Sequence, residues 1–473
     1  MSGLIGSLIS GSRALAAQQA GVQTAGRNLA NVNTPNYARQ RVSLGDQATV
    51  SSKLGNIGSG VEVLGIQQIR DRFLDAEVTR EISQTASLTA QQSALTKAEG
   101  DLGETIDRAN DSATIGDATS TTTGIASALN DFFNGFDEVA SNPGDVGTKQ
   151  VLLQKADLLV SKFNVADDRL ANLQTDLTNQ VTDDTSTANG LLQQIADLNG
   201  KIQQAEITAP GSSIDLNDQR QGKLEELAKY MNFTATVIPG TQNQMQITVK
   251  DSTGADVTLV DKTTVQGGLS FSGTQLSGGN PPSVLGLASG SLKGNLDARD
   301  GDIQTLRDNL KKTAQQLVVG VNAAYNPTGA TGNFFATSPT SGIIALDPTL
   351  SSSSLKTTDT GSSGANELAL AVADLAQKKF STSSGDLVDG TIGDAYKTVV
   401  SGFGAKLSNV NSKLADQQSI QDVVTKQRDS VSGVSMDEEV ADLMRYQRAY
   451  QAAARVVNVV DSMLDTLING LGR

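Results

Sequence analysis

The 473 residues include neither His nor Cys, which removes Ser-His-Asp and Cys-His nucleophilic systems, disulfides and nearly every zinc or haem site. A net charge of −14 disfavours nucleic acid or an anionic membrane surface as partner, and no apolar run is long enough to span a bilayer. Aromatic residues make up only 4% and Trp is absent, so cores must be built from Ala, Leu, Val and Ile on helices, in several domains.

The spacing predicts a first helix over 1–32. Leu4, Leu8, Gly11, Leu15, Gln18, Val22, Ala25, Leu29 and Val32 recur every three or four residues, the stripe of a coiled-coil seam. Gly3, Gly6, Gly11, Gly21 and Gly26 each cost up to about 1 kcal/mol relative to Ala, so this helix is expected to need partners to fold. The first residues lack a basic region, and no cleavable signal peptide is expected. The helix should stop at Asn33-Thr34-Pro35-Asn36-Tyr37, with Asn36 suited to a left-handed turn.

Residues 38–64 read as extended, with Val42 and Leu44, then Val61 and Val63, in period two. Helix is expected from Gln67 to Arg108, from Gly124 to Ala140 and from Asp145 to Ile207, the last with a polar interruption of its stripe from Thr178 to Gly190. Another helix, Asp215 to Met231, leads into a β region at 232–292. There Phe233–Ile238 and Met245–Val249 alternate apolar and polar residues, and Asp251-Ser252-Thr253-Gly254 is a hairpin signal. The Gly/Ser/Pro-rich stretch 267–290 follows, and 232–292 as a whole is expected to be a small β domain inserted between helical segments. Helix resumes from Leu292 to Tyr325, followed by a polar connection over 326–362 in which Phe334-Phe335 should anchor a loop. A short helix near Asn366 to Lys378 precedes a long one from Ile392 to Ser430, striped by Tyr396, Val400, Phe403, Leu407, Val410 and Leu414.

Ser432-Gly433-Val434 breaks that helix, and Ser435 with Glu438 fits a capping box for the last one. Its stripe is Leu443, Tyr446, Tyr450, Ala453, Val457, Val460, Leu464, Leu467 and Leu471. Residues 1–45 carry four arginines and no acid, whereas 436–473 carry six acids and four arginines, so the two ends have complementary charge. The expected fold is mainly α with a small inserted β domain, elongated, its terminal helices paired as a coiled coil. Three domains are expected: 1–45 with 431–473 as the terminal coiled coil, 46–231 with 293–430 as a helical bundle, and 232–292 as an outward-facing β domain.

No convergent chemistry stands out. Asp437, Glu438 and Glu439 sit where a helix dipole favours acids, which explains them better than a metal or acid/base site. Asp215 and Asp218 lack EF-hand spacing, and Arg299-Asp300 reads as a local salt bridge or a helix-start cap. No catalytic, cofactor-binding or metal residues are assigned, and the chain is not expected to be an enzyme.

Asn28-Leu29-Ala30-Asn31-Val32-Asn33-Thr34-Pro35-Asn36-Tyr37 resembles the N-terminal motif shared by the flagellar axial proteins of bacteria, with Asn36 where that family usually has Gly. Ser432-Gly433-Val434-Ser435-Met436-Asp437-Glu438-Glu439 resembles the signature of the hook-associated protein 1 family within it. Ile69-Arg70-Asp71-Arg72-Phe73-Leu74, Asp218-Gln219-Arg220, Gly294–Asp300, Val321-Asn322 and Phe334-Phe335 follow in the expected order. The resemblance implies a structural adaptor at the junction between hook and filament, working by polymer packing. A hook or distal rod subunit is the alternative within this class, and a carbohydrate-binding surface protein lies outside it. It implies subunits self-associating in a tube whose channel the terminal helices line, with Leu4, Leu8, Leu15, Val22, Leu29 and the C-terminal stripe in subunit packing. The implied partners are the hook protein, the second junction protein, the flagellar export apparatus and an export chaperone on the C-terminal helix, with secretion to the flagellum and no cofactor.

Overall fold

The computed structural model describes residues 2–46, 50–52, 55–57, 60–103, 106–107, 114–115, 124–329, 332–359, 362 and 364–471. Helix α1 (Ser2–Ala30) gives way to a loop in which Asn36 takes φ +62°, the left-handed turn its short amide side chain tolerates. Strand β1 (Gln40–Asp46) encloses a small hairpin, β2 (Val50–Ser52) with β3 (Gly55–Ile57), and pairs antiparallel with β4 (Val61–Gln68). Helix α2 (Arg72–Leu102) stops six residues short of the expected Arg108. Gly103 adopts φ +64° there, which ends the helix at its C-terminal side. The short strands β5 (Ile106–Asp107) and β6 (Thr114–Ile115) pair beyond it.

Helix α3 (Ile125–Ser141) precedes α4 (Val146–Thr208), one unbroken helix of 63 residues. The polar stretch Thr178–Gly190 interrupts nothing in the backbone. Val181, Thr185 and Ala188 keep a buried face there, and Thr178 and Thr182 fold their hydroxyls onto the carbonyls four residues back. After α5 (Ile214–Ala228), strands β7 (Thr234–Val237), β8 (Met245–Lys250), β9 (Asp256–Asp261) and β10 (Thr264–Val265) form an antiparallel sheet in the order β10-β9-β8-β7. The Gly/Ser/Pro-rich stretch 267–290 carries a second antiparallel sheet: β11 (Leu269–Phe271), β12 (Leu276–Gly278) and β13 (Ser283–Val284).

Helix α6 (Ser291–Leu296) runs through a π-helical turn at Asp297–Ile303 into α7 (Gln304–Tyr325). Helices α8 (Glu367–Ala373), α9 (Ile392–Ser432) and α10 (Met436–Leu471) complete the chain. The fold is mainly α with a small β region. None of the described helices is long and apolar enough to cross a membrane.

Packing divides the chain into two compact units. The first joins residues 1–85, 185–290 and 417–473. Within it α1 and α10 lie antiparallel. Val457 Cγ2 stands 2.7 Å from where a Cβ on Gly11 would be, and the Tyr446 ring stands 2.5 Å from such an atom on Gly21. The four-stranded sheet buries Ile247, Val249, Leu259 and Val260, and each of the two sheets is tied to α4 by an asparagine. Asn189 bonds both the N–H and the carbonyl of Leu269, and Asn199 does the same to Met245.

The second unit joins residues 86–184 and 291–416. Its core holds Phe132, Phe136, Phe334, Phe335 and Tyr325, with ring centroids 5.0–5.7 Å apart in edge-on and tilted arrangements. Asn322 fixes the loop that delivers two of these rings, accepting from the Phe334 and Phe335 N–H groups and donating to the Phe335 carbonyl. Phe334-Phe335 is therefore a loop anchor.

Candidate functional site

The two terminal motifs meet in the first unit, at the end of α1 and the first turn of α10. Asn28, on the last turns of α1, has 1% of its surface exposed. Its Oδ1 accepts from the Gln40 N–H (3.0 Å) and from the Tyr37 hydroxyl (2.9 Å). Its Nδ2 donates to the Gln40 carbonyl (2.8 Å) and to Glu439 Oε2 (2.9 Å). One side chain thus ties the helix, the chain leaving it and the opposite end of the protein. Burial raises the Tyr37 pKa to about 12, Arg27 opposing the shift and Asp218, Asp215 and Glu439 adding to it.

Arg39 supplies the charge. Its Nε lies 2.6 Å from Glu439 Oε1, its Nη1 donates to Glu438 Oε2 at 2.6 Å, and its Nη2 lies 3.5 Å from Asp442. The Arg39 N–H also donates to the Ser432 carbonyl (2.8 Å). Burial works against the guanidinium, but Glu439 and Glu438 outweigh it and raise its pKa. Glu439 has only 2% of its side chain exposed, and a carboxylate there is tolerable only with such partners. Ser432 is buried, Gly433 and Val434 are half-buried, and Asp437 is exposed. At the N-terminal motif Asn33, Thr34 and Pro35 are exposed.

Helix α5 is the platform beneath this junction. Asp215, Asp218, Gly222 and Glu225 fall on one face of it, at helical spacing. Asp215 Oδ2 accepts from Arg27 (3.2 Å), and its Oδ1 accepts from Gln40 Nε2 (3.3 Å). Asp218 Oδ1 accepts from Arg70 Nη2 (2.6 Å). The Asn36 carbonyl accepts from the same Arg70 nitrogen (2.8 Å). Asn36 places its amide nitrogen 3.1 and 2.8 Å from the two oxygens of Glu225, which also pairs with Arg428 Nη1 at 2.7 Å. Burial raises the pKa of Asp75, Asp218 and Glu225, against the pull of Arg70 on the first two and of Arg428 on the third.

Away from the junction the seam is only partly closed. Gly11, Ala17, Gly21, Thr24, Ala25 and Asn28 are the buried residues of α1, while Leu4, Leu8, Leu15, Val22 and Leu29 are half-buried. On α10, Val460 is buried, Leu443, Tyr446, Val457 and Leu464 are half-buried, and Tyr450 and Leu467 are exposed. The side chain of Leu471 lies outside the described residues. Further apolar residues of α10, Val440, Met444, Val456, Val459, Met463 and Ile468, are exposed, as are Ile5 and Ile9 on α1. No group of three or more metal-ligating side chains occurs among the described residues.

Arg39, Asp215 and Glu225 are among the residues of this junction that motif reading did not assign, whereas Asp218 stands in one of the quoted motifs. The charge contrast between the two ends was the one available signal, and it pointed to Arg39 among four arginines.

Comparison with known proteins bears on what this junction serves. Residues 116–334 match the family model for the flagellar hook-associated protein FlgK helical domain, and residues 426–470 match that for the flagellar basal body rod FlgEFG protein C-terminal region. Flagellar hook-associated protein 1 of Bacillus subtilis is 26% identical, with 97% of each chain covered. Its counterparts in Salmonella typhimurium (26%) and Escherichia coli (24%) are covered completely by 99% of this chain. The flagellar hook junction protein FlgK of Burkholderia pseudomallei shares the fold with a TM-score of 0.59 at 15% identity, over 76% of this chain and all of that one. The resemblance to the hook-associated protein 1 family, carried in the sequence by the two terminal motifs, thus extends along the whole chain.

Proposed function

We propose that this protein is a structural subunit of the bacterial flagellum, an adaptor that forms the junction between hook and filament by polymer packing. One observation carries the reading: Asn28 and Arg39 lock the two chain ends together through Glu438 and Glu439, while the paired helices leave rows of apolar side chains uncovered. Apolar rows of this kind mark an interaction surface. The similarity to hook-associated protein 1 over the whole length supports the same role. Neighbouring copies would cover Leu4, Leu8, Leu15, Val22 and Leu29 on α1 and Tyr450, Leu464 and Leu467 on α10. Residues 1–45 with 431–473 would make the tube core, and 232–292 would face outward.

The protein works without catalysis, through contacts with the hook protein on one side and the second junction protein on the other. Before assembly the exposed row of α10 needs cover, which gives an export chaperone a physical reason to bind there, ahead of passage through the flagellar export apparatus.

The test is complementation in a flagellated bacterium deleted for its own first junction protein. The full chain is expected to restore filament growth, and a chain ending at residue 435 is expected to leave bare hooks. Filaments grown on the truncated chain would refute the proposal.

A further inference from the structure

The motif Asp218-Gln219-Arg220 divides its work between two sides of α5. Asp218 faces the terminal junction, whereas Arg220 points into a cavity of about 820 Å³ within the first unit. Arg220 is 4% exposed, and no carboxylate pairs with it. Its Nη1 donates to Asn199 Oδ1 (2.8 Å) and to the Asn243 carbonyl (2.7 Å), and its Nη2 donates to Asn217 Oδ1 (3.0 Å). Amide oxygens solvate the guanidinium but leave its charge uncompensated. Burial lowers its pKa to about 10, and the charges of Arg72 and Arg70 push the same way.

Arg72 stands on the exposed side of the same cavity and also lacks a carboxylate. Its Nη2 donates to Asn243 Oδ1 at 3.3 Å, so both unpaired cations converge on one asparagine, which holds φ +56° between them. The other cations on the wall are already paired with carboxylates, and the Glu206 carboxylate is held by neutral donors. Arg70 pairs with Asp75, Arg80 with Glu77 and Glu81, and Glu206 accepts from Gly211 and Ser213. The rest of the wall is mixed: Ile214, Leu224, Met231, Phe233 and Val237 give it apolar area among polar side chains such as Gln67, Thr79 and Asn232. In a chain of net charge −14, a buried Arg220 and a neighbouring exposed Arg72, neither paired with a carboxylate, are an arrangement that repulsion, and desolvation at Arg220, oppose. The volume falls within the range of small-molecule sites.

We propose that this cavity binds an organic carboxylate with an apolar body, its carboxylate held by Arg72 and Arg220 and its body against the Phe233 side of the wall. Guanidinium groups suit a planar carboxylate, and the apolar lining selects an aryl or alkyl acid over inorganic anions. The inference is separate from the junction role: no residue of the cavity wall belongs to α1 or α10, and the proposed carboxylate ligands Arg72 and Arg220 take no part in the junction, although Arg70 serves both.

The test uses the full chain and three probes, 4-phenylbutyrate, its neutral amide 4-phenylbutyramide, and inorganic phosphate, followed by isothermal titration calorimetry and thermal unfolding. The expected result is saturable binding of 4-phenylbutyrate, at least about tenfold tighter than the amide and than phosphate, as a charge-assisted pair provides. The R72Q variant, altered at an exposed position, should fold, melt no lower than the parent without ligand, and bind 4-phenylbutyrate about tenfold more weakly. Equal binding of acid and amide, no saturation, or unchanged affinity in R72Q would overturn the proposal. Tighter binding of phosphate than of 4-phenylbutyrate would overturn the assignment to a carboxylate.

Discussion

Asparagine does an unusual share of the tertiary work at the level of single residues. Asn28, Asn189, Asn199 and Asn322 each use both ends of a side-chain amide to bond the N–H and the carbonyl of an extended segment. Asn164 does the same across Ile343 and Ile344. Each clamp satisfies backbone groups that would otherwise be buried unpaired, as one rung of a sheet would. Such residues read as ordinary polar positions in a helix, because their partners lie between 12 and 180 residues away. Arg39 was hidden for the same reason, since its acids are about 400 residues distant. Replacing Arg39 with Ala leaves Glu439 buried without its cation and should cost about 3 kcal/mol in urea unfolding of the first unit. Replacing exposed Arg13 should cost no more than about 0.5 kcal/mol. Equal effects at the two positions would show that the Arg39 cluster contributes nothing special.

Element boundaries were legible where local chemistry decides them, at Pro35-Asn36 and at Ser432-Gly433, and illegible where packing decides them. The polar run Thr178–Gly190 stays helical because Val181, Asp184, Thr185 and Ala188 keep a buried face. The stretch 267–290 forms strands although its composition is that of a linker, with Leu269 and Leu276 supplying the buried side. Glycine in α1 changes meaning in the same way. Gly11 and Gly21, which weaken an isolated helix, are the positions where Val457 and the Tyr446 ring come closest. Gly6 and Gly26 meet nothing within 4 Å. Gly21→Ala should therefore destabilise the helix pair by about 1–3 kcal/mol through overpacking, whereas Gly26→Ala should stabilise it by about 0.5–1 kcal/mol. Thermal unfolding of the two variants checks this, and a stabilised Gly21→Ala would contradict the packing described.

At the scale of the whole molecule, the heptads at both ends announced a seam, and the charge contrast announced which ends pair. Neither revealed that the ends run antiparallel, that α5 carries three acids to Arg27, Arg70 and Asn36, or that the β region packs in the same unit as the terminal helices. Those depend on contacts between segments far apart in sequence, where a single chain offers no periodicity to read. The uncovered rows of α10 gain their significance here, because a monomer has nothing to place against them.

Cryo-electron microscopy of hook–filament junctions built from this chain tests the central claim most directly. The expected map has α1 and α10 of every copy lining the channel, their apolar rows covered by neighbours and Arg39 still against Glu438 and Glu439. Terminal helices lying on the outer surface, or the chain spread along the hook instead of banded at its end, would contradict it.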